Sequence, residues 1–252
     1  MSTFKRLRKW VNIFLVFFIL LSVFIAGALV VPNSWSDRAR YLINQSLNRP
    51  SAVQAFGIDV SHYNGDIDWE KVGTKRPVEF AIMRCTMGEG RRDNKYVQNM
   101  DSARKKGLIV SSYHYYDPNE NSTKQAENFC KFIDFRKGDL RPVLDIEVMS
   151  RVQSQDSLIT GLKNFCSIVE EKLGVTPIIY SGLNFYKAIL KEDFPNSDYS
   201  LWIAAYSPSR KRDVLSFSDM IQFTEKSTIG GIQGPVDGND LPRKNLPELI
   251  YK

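Results

Sequence analysis

Histidine and cysteine are scarce in this chain of 252 residues. His62 and His114 are the only histidines, and Cys85, Cys130 and Cys166 the only cysteines. No His/Cys cluster has zinc spacing, so no metal centre is expected. Three widely separated cysteines allow at most one bridge, which excludes a disulfide framework. Cys85 sits in an apolar run and reads as a small core residue. Neither histidine has a G-x-S-x-G partner, so no serine–histidine triad is legible. No Gly-rich phosphate loop follows the first strand-like run, and no nucleotide cofactor is expected. Internal repeats and low-complexity tracts are also missing.

Acidic residues are absent from residues 1–31, which hold Lys5, Arg6, Arg8 and Lys9. The other 221 residues carry 30 basic and 28 acidic side chains, so most of the net +6 belongs to the N-terminal tip. A chain-wide basic surface for nucleic acid is thereby excluded. Val11 to Val31 is free of charge. As a helix this run reaches about 30 Å, the thickness of a bilayer core. The expectation is a cytoplasmic tip (1–10), a transmembrane signal anchor (11–31), a linker (32–54) and a catalytic domain (55–252) outside the cytoplasm. Ala26-Gly27-Ala28 offers the rival reading, a signal peptide cleaved to release a secreted protein.

Beyond Gln54, short apolar runs recur at Phe56–Val60, Phe80–Cys85, Leu108–Tyr113, Pro142–Val148, Pro177–Tyr180, Leu201–Ala205 and Met220–Phe223, with a weaker one around Val236-Asp237. Helix-like segments intervene at Tyr96–Lys106, Thr123–Phe135, Ser157–Leu173 and Phe185–Leu190, with a possible helical turn at Trp69–Val72. Gly107 and Gly174 stand at helix stops and Ser122 at a start. Strand alternating with helix predicts a parallel α/β sheet, and eight strands predict an irregular TIM-like (β/α) barrel. The connections 207–219 and 225–235 are too short and polar for crossover helices. About five βα units should therefore precede three strands with little or no helix, partly antiparallel.

The strongest chemical signal is Pro142-Val143-Leu144-Asp145-Ile146-Glu147-Val148. In a strand, Asp145 and Glu147 share one face with Cα atoms about 6.5–7 Å apart, and Leu144, Ile146 and Val148 share the other. Two neighbouring carboxylates raise each other's pKa, and a carboxyl kept protonated near neutral pH can protonate a leaving oxygen. Asp59 ends the first run, and Asp237 joins it at one mouth if the barrel closes. Each of the four acids also has a structural reading, as a paired, capping or turn residue. Tyr63, Tyr113, Tyr115, Tyr116, Tyr180, Trp202 and Tyr206 gather at the same strand ends and suit a sugar-binding cleft. His62 and His114 are candidate hydrogen-bonding groups there.

Phe56-Gly57-Ile58-Asp59-Val60-Ser61-His62-Tyr63-Asn64-Gly65-Asp66-Ile67-Asp68-Trp69 resembles the opening of glycoside hydrolase family 25 lysozymes. Arg84-Cys85-Thr86-Met87-Gly88, Tyr113-His114-Tyr115-Tyr116, Pro142–Glu147, Ile179-Tyr180-Ser181-Gly182, Leu201-Trp202-Ile203-Ala204 and Val236-Asp237-Gly238-Asn239 continue the likeness in order. The resemblance covers about residues 55–245. It implies N-acetylmuramidase activity on peptidoglycan glycan strands, an irregular barrel and no metal. It makes Glu147 the general acid and Asp145 its assistant, with Asp59 and Asp237 completing the cluster. His62, Tyr63, Tyr113, Tyr115, Tyr180, Trp202, Tyr206 and Gln222 are then the expected glycan-binding residues. Asn64 departs from the Gln of many members and Cys85 from a small residue such as Ala. A noncatalytic glycan-binding barrel, or a glycosidase for another N-acetylated glycan, are the alternatives; the products of cell-wall digestion discriminate them.

Overall fold

The computed structural model describes residues 53–252. The basic tip, the apolar run 11–31 and the linker up to residue 52 lie outside the described residues. Among the described residues no helix is long and apolar enough to cross a membrane.

Nine strands form one sheet: β1 (Gln54–Val60), β2 (Phe80–Met87), β3 (Arg91–Arg92), β4 (Ile109–Tyr115), β5 (Val143–Asp145), β6 (Ile178–Gly182), β7 (Leu201–Ala204), β8 (Met220–Ser227) and β9 (Val236–Pro242). Their order is β1-β9-β8-β7-β6-β5-β4-β2-β3, and β1 also pairs with β2, so eight strands close a barrel with β3 appended. The pairs from β1–β2 round to β7–β8 are parallel, whereas β9 is antiparallel to both β8 and β1. The reason is the connection expected to be too short: residues 228–235 cannot carry a crossover helix, and an antiparallel return needs none.

Helices α1 (Tyr96–Lys105), α2 (Ser122–Phe132) and α3 (Gln155–Leu173) cover the early crossovers. After β6 a short helix, Leu183–Phe185, continues as a π turn, Tyr186–Leu190. Gly174 caps α3 in the left-handed conformation with φ 73°, as a helix stop requires. The start of α2 is capped by Asn121 rather than Ser122: its side chain accepts from the Lys124 N–H. The first crossover, expected to open the βα series, contains only the 3₁₀ turn His62–Asn64 and further turns. Between β7 and β8, Lys211–Val214 forms a single helical turn.

Strand residues alternate between two cores. Phe56, Ile58, Met83, Leu144, Ile179 and Ile203 face the helices. Ala55, Phe80, Ile82, Val143, Ile178, Trp202, Met220 and Leu241 fill the barrel. Gly57 is required inside: a Cβ there would lie 2.3 Å from the Phe80 ring, its register partner across β1–β2. Along each strand the inward positions change from apolar to polar: Ala55 then Asp59, Phe80 then Arg84, Val143 then Asp145, Met220 then Gln222. The polar ends meet at one mouth. β9 runs the other way, so Asp237 reaches that mouth from the start of its strand and Leu241 reaches the apolar floor.

The expected strand Pro142–Val148 is cut short. β5 ends at Asp145, whose carbonyl still accepts from the Tyr116 N–H at 2.8 Å. Ile146 keeps a bond to the Tyr180 carbonyl at 3.1 Å and stays buried. Val148, expected on the apolar face, is instead 49% exposed.

Candidate active site

Asp59, Asp145, Glu147 and Asp237 border one cavity of about 320 Å³ at the mouth of the barrel. Asp59 and Asp237 are register partners across β1–β9, which brings together residues 178 positions apart. Tyr63, Tyr113, Tyr115, Tyr180, Trp202, Tyr206 and Gln222 line the same cavity. His62 does not. Its Nδ1 lies 2.9 Å from Asp93 Oδ2 and against the Arg84 guanidinium.

Asp59 is the hub of a hydrogen-bond network. Gln222 Nε2 donates to its two oxygens at 3.2 and 3.0 Å, and Asn239 Nδ2 donates at 2.7 Å. Gln222 Oε1 in turn accepts from Tyr180 and Tyr206 at 2.8 and 2.7 Å. The Trp202 indole donates to Asn239 Oδ1 at 2.9 Å. Tyr180 and Trp202, expected glycan-binding residues, are only 6% and 2% exposed, and they hold the amides that hold Asp59. Free aromatic surface comes from Tyr63 and Tyr206, 82% and 49% exposed. His114 and Tyr116 point the other way, because β4 alternates. His114 is fully buried beside Phe165, bonded to Thr86 and Gln125, and burial lowers its pKa to about 3.

Every one of the four acids is held above its usual pKa. Burial, then the Asp237 charge, raises Asp59 to about 8 against the donated amides. Burial, then the charges of Glu147 and Asp59, raises Asp145, while Arg84 opposes. Asp145 Oδ1 is buried without a hydrogen-bond partner. Glu147 stands exposed at the mouth, yet crowding by protein and the Asp237 charge still raise its pKa. Asp237 rises through burial and through Glu225. So many carboxylates cannot all ionise at neutral pH, and the cluster retains protons.

Sequence reasoning missed Asp93, Glu225 and the structural use of Arg84. Arg84 borders the cavity but donates to Asp93 Oδ2 at 3.0 Å, and its guanidinium lies 5.0 Å from the Tyr63 ring. Against the pull of burial, bonds from His62 and Lys95 and the Arg84 charge keep Asp93 below the usual carboxylate range. A β-bulge at Cys85, between Arg84 and Thr86, sets this geometry. Cys85 itself is fully buried with its thiol pushed up to about 12, consistent with an inert core residue. Asp93 follows two arginines and gave no signal beyond that of a turn acid.

The family description glycosyl hydrolases family 25 matches residues 58–232. YegX of Escherichia coli K12 is 32% identical over 194 residues, 75% of this chain and 70% of that protein. The autolytic lysozyme of Clostridium acetobutylicum is 30% identical over 181 residues, 72% of this chain and 54% of that one. The fold is that of the Streptomyces coelicolor lysozyme (TM-score 0.68, 23% identity, 79% of this chain and 98% of that chain). It is also that of the family 25 lysozyme from Aspergillus fumigatus (TM-score 0.69, 21% identity, 79% and 100%). With the family match spanning the barrel from β1 past β8, and four carboxylates gathered at its mouth, the chain belongs to glycosyl hydrolases family 25 and is a glycosidase of the lysozyme kind.

Proposed function

We propose that the protein hydrolyses the β-1,4 bond between N-acetylmuramic acid and N-acetylglucosamine in peptidoglycan, with Glu147 as general acid. The observation that carries this reading is the division of labour among the acids. Glu147 is accessible and its pKa is raised, so it can hold a proton where substrate reaches it. Asp145 lies deeper with one oxygen unpartnered.

The chemistry follows from that placement. Glu147 gives its proton to the glycosidic oxygen as the C1–O bond breaks. The C2 acetamido oxygen attacks C1, and the Asp145 carboxyl, which borders the cavity, accepts the acetamido N–H. Water then attacks C1 from the face the leaving sugar vacated, the C1 bond to the acetamido oxygen breaks to restore the acetamide, and the water gives its proton to the Glu147 carboxylate, which restores the acid and retains the anomeric configuration. Asp59 and Asp237 keep the cavity electrically crowded, and Tyr63 and Tyr206 offer faces to sugar rings.

Digestion of purified cell wall followed by mass spectrometry tests the bond. Muramic-acid reducing ends are expected; N-acetylglucosamine reducing ends would assign a glucosaminidase, and sugar binding with no new ends a binding module. Proton NMR of the first product tests the stereochemistry: a β-anomer is expected, and an initial α-anomer would rule out acetamido assistance.

Residues 11–31 are proposed to remain as a membrane anchor that holds the barrel outside the cytoplasm. The protein should then stay with membranes through a high-salt wash and keep its N-terminal residues. A mature chain that starts near Leu29 would show cleavage and secretion instead.

A further inference from the structure

Tyr63 is the most exposed of the aromatics that border the acidic cavity. A side chain so open to water ordinarily turns between rotamers within nanoseconds, and a ligand that stacks on it must first immobilise it. Tyr63 is not left to do so. It sits in the 3₁₀ turn His62–Asn64, which a capping box closes. The Ser61 N–H donates to Asn64 Oδ1 at 2.9 Å, and the Tyr63 N–H donates to Ser61 Oγ at 3.3 Å. The Tyr63 ring centroid lies 4.2 Å from that of His62 and 5.0 Å from the Arg84 guanidinium. The second contact is a cation–π attraction.

Both supports of the ring lead to one carboxylate, 31 positions further along the chain. Asp93 Oδ2 accepts from the His62 N–H at 2.9 Å and from Arg84 Nε at 3.0 Å, and it lies 2.9 Å from His62 Nδ1. The other oxygen accepts from the Lys95 N–H at 2.9 Å. Asp93 is itself tied to the barrel, because its N–H donates to the carbonyl of Cys85, the bulge residue of β2, at 3.0 Å. Its side chain is 1% exposed and does not border the cavity. A buried carboxylate is stable only while its donors stay in place, and bonds to a charged acceptor are short and directional. Asp93 therefore fixes the backbone of the turn and the guanidinium together, and passes the rigidity of the barrel to a ring that stands in solvent.

We propose that Asp93 is a positioning residue for glycan binding: it clamps His62 and Arg84 against Tyr63 and so presents an already ordered aromatic ring to a sugar face. The inference rests on the reading of the cavity as a glycan site and is independent of which bond is cleaved. Asp93 touches no sugar and acts only through Tyr63. A ring ordered in advance spares the glycan the entropy of ordering it. That gain is the same in the ground state and the transition state, so it enters KM and leaves kcat alone.

The test is a double-mutant cycle in the full-length protein carrying Glu147→Gln, so that binding is measured without turnover. The probe is a tetrasaccharide of alternating N-acetylglucosamine and N-acetylmuramic acid, and the readout is Kd by titration calorimetry. Asp93→Asn and Tyr63→Ala should each weaken binding about tenfold, the scale of one ordered aromatic contact. Together they should weaken it no further than Tyr63→Ala alone, because Asp93 has nothing left to position. Arg84→Lys, which keeps the charge beside Asp93 but not the flat guanidinium beside Tyr63, should behave like Asp93→Asn in the same cycle. With Glu147 restored, Asp93→Asn should raise KM for peptidoglycan about tenfold and leave kcat within a few-fold. Effects that multiply in the cycle, or a fall in kcat at constant KM, would overturn the inference. So would loss of the melting transition in both Asp93→Asn and Arg84→Lys, since Asp93 would then hold the barrel rather than the turn. A wild type that binds the tetrasaccharide but releases no reducing ends would overturn the hydrolase reading and leave this inference standing.

Discussion

Glu147→Gln should lower kcat on peptidoglycan about 10³-fold while KM stays within a few-fold. The change is nearly isosteric, and the Glu147 side chain, exposed at the mouth, stands at the rim rather than in the core. Folding should therefore be unaffected. A general acid acts when protonated, so wild-type kcat/KM should fall as pH rises through the raised pKa of Glu147. That alkaline limb should vanish from the residual activity of the variant. The decisive measurement uses an aryl glycoside whose leaving group needs no proton: the variant's deficit should shrink on it by at least tenfold. A deficit of equal size on both substrates would mean that Glu147 does something other than protonate the leaving oxygen, and a fully active folded variant would remove it from catalysis.

Asp145→Asn should cost activity and raise stability together. Asp145 is 6% exposed, is repelled by Glu147 and Asp59, and has an oxygen without a partner. Loss of the carboxyl proposed to accept the acetamido N–H should reduce kcat about 10²–10³-fold, the usual range for removing one stabilising group at the reacting centre. The same loss should stabilise the fold by about 1–2 kcal/mol near neutral pH, as functional sites commonly sacrifice stability.

The sign of the pH dependence follows from the raised pKa values. An acid whose folded pKa is raised is protonated in both states below its unfolded value and imposes no penalty there. As pH rises past 3.8, the unfolded state ionises first and the fold loses stability, until the folded group also ionises, near about 8 for Asp59. Wild-type Tm should therefore decline from pH 4 to pH 8. The advantage of Asp145→Asn should be small at pH 4 and a few degrees at pH 8. A melting difference that is largest at acid pH, or a variant less stable than the wild type at pH 8, would contradict the buried-charge account.

The parallel strands were legible because both of their faces are covered, which makes them short continuous apolar runs such as Phe80–Cys85. Helix ends were legible where a residue type has one conformational reason, as at Gly174. Pro142–Val148 misled: periodicity continues through Val148, but the strand is Val143–Asp145 and its last backbone bond to a neighbouring strand is that of Ile146. Hydrogen-bond partners across a sheet are non-local, and no run of residues records where they stop.

The acids themselves were visible as carboxylates in apolar company, a costly placement that local sequence displays directly. Their supports were not. Asp93 reaches Arg84 and His62, Gln222 and Asn239 reach Asp59 from 163 and 180 residues away, and Trp202 supports Asn239 from within the barrel. The sequence by itself determined the residue types, their strand periodicity, the family and the four carboxylates. Only the closed barrel decided which of those carboxylates is buried and which is accessible, and that Asp237 reaches the mouth because its strand runs backwards. It also separated the aromatics that face solvent from those that hold the amides. Side-chain alternation is a local property of a strand, whereas burial and charge coupling arise only when distant strands meet.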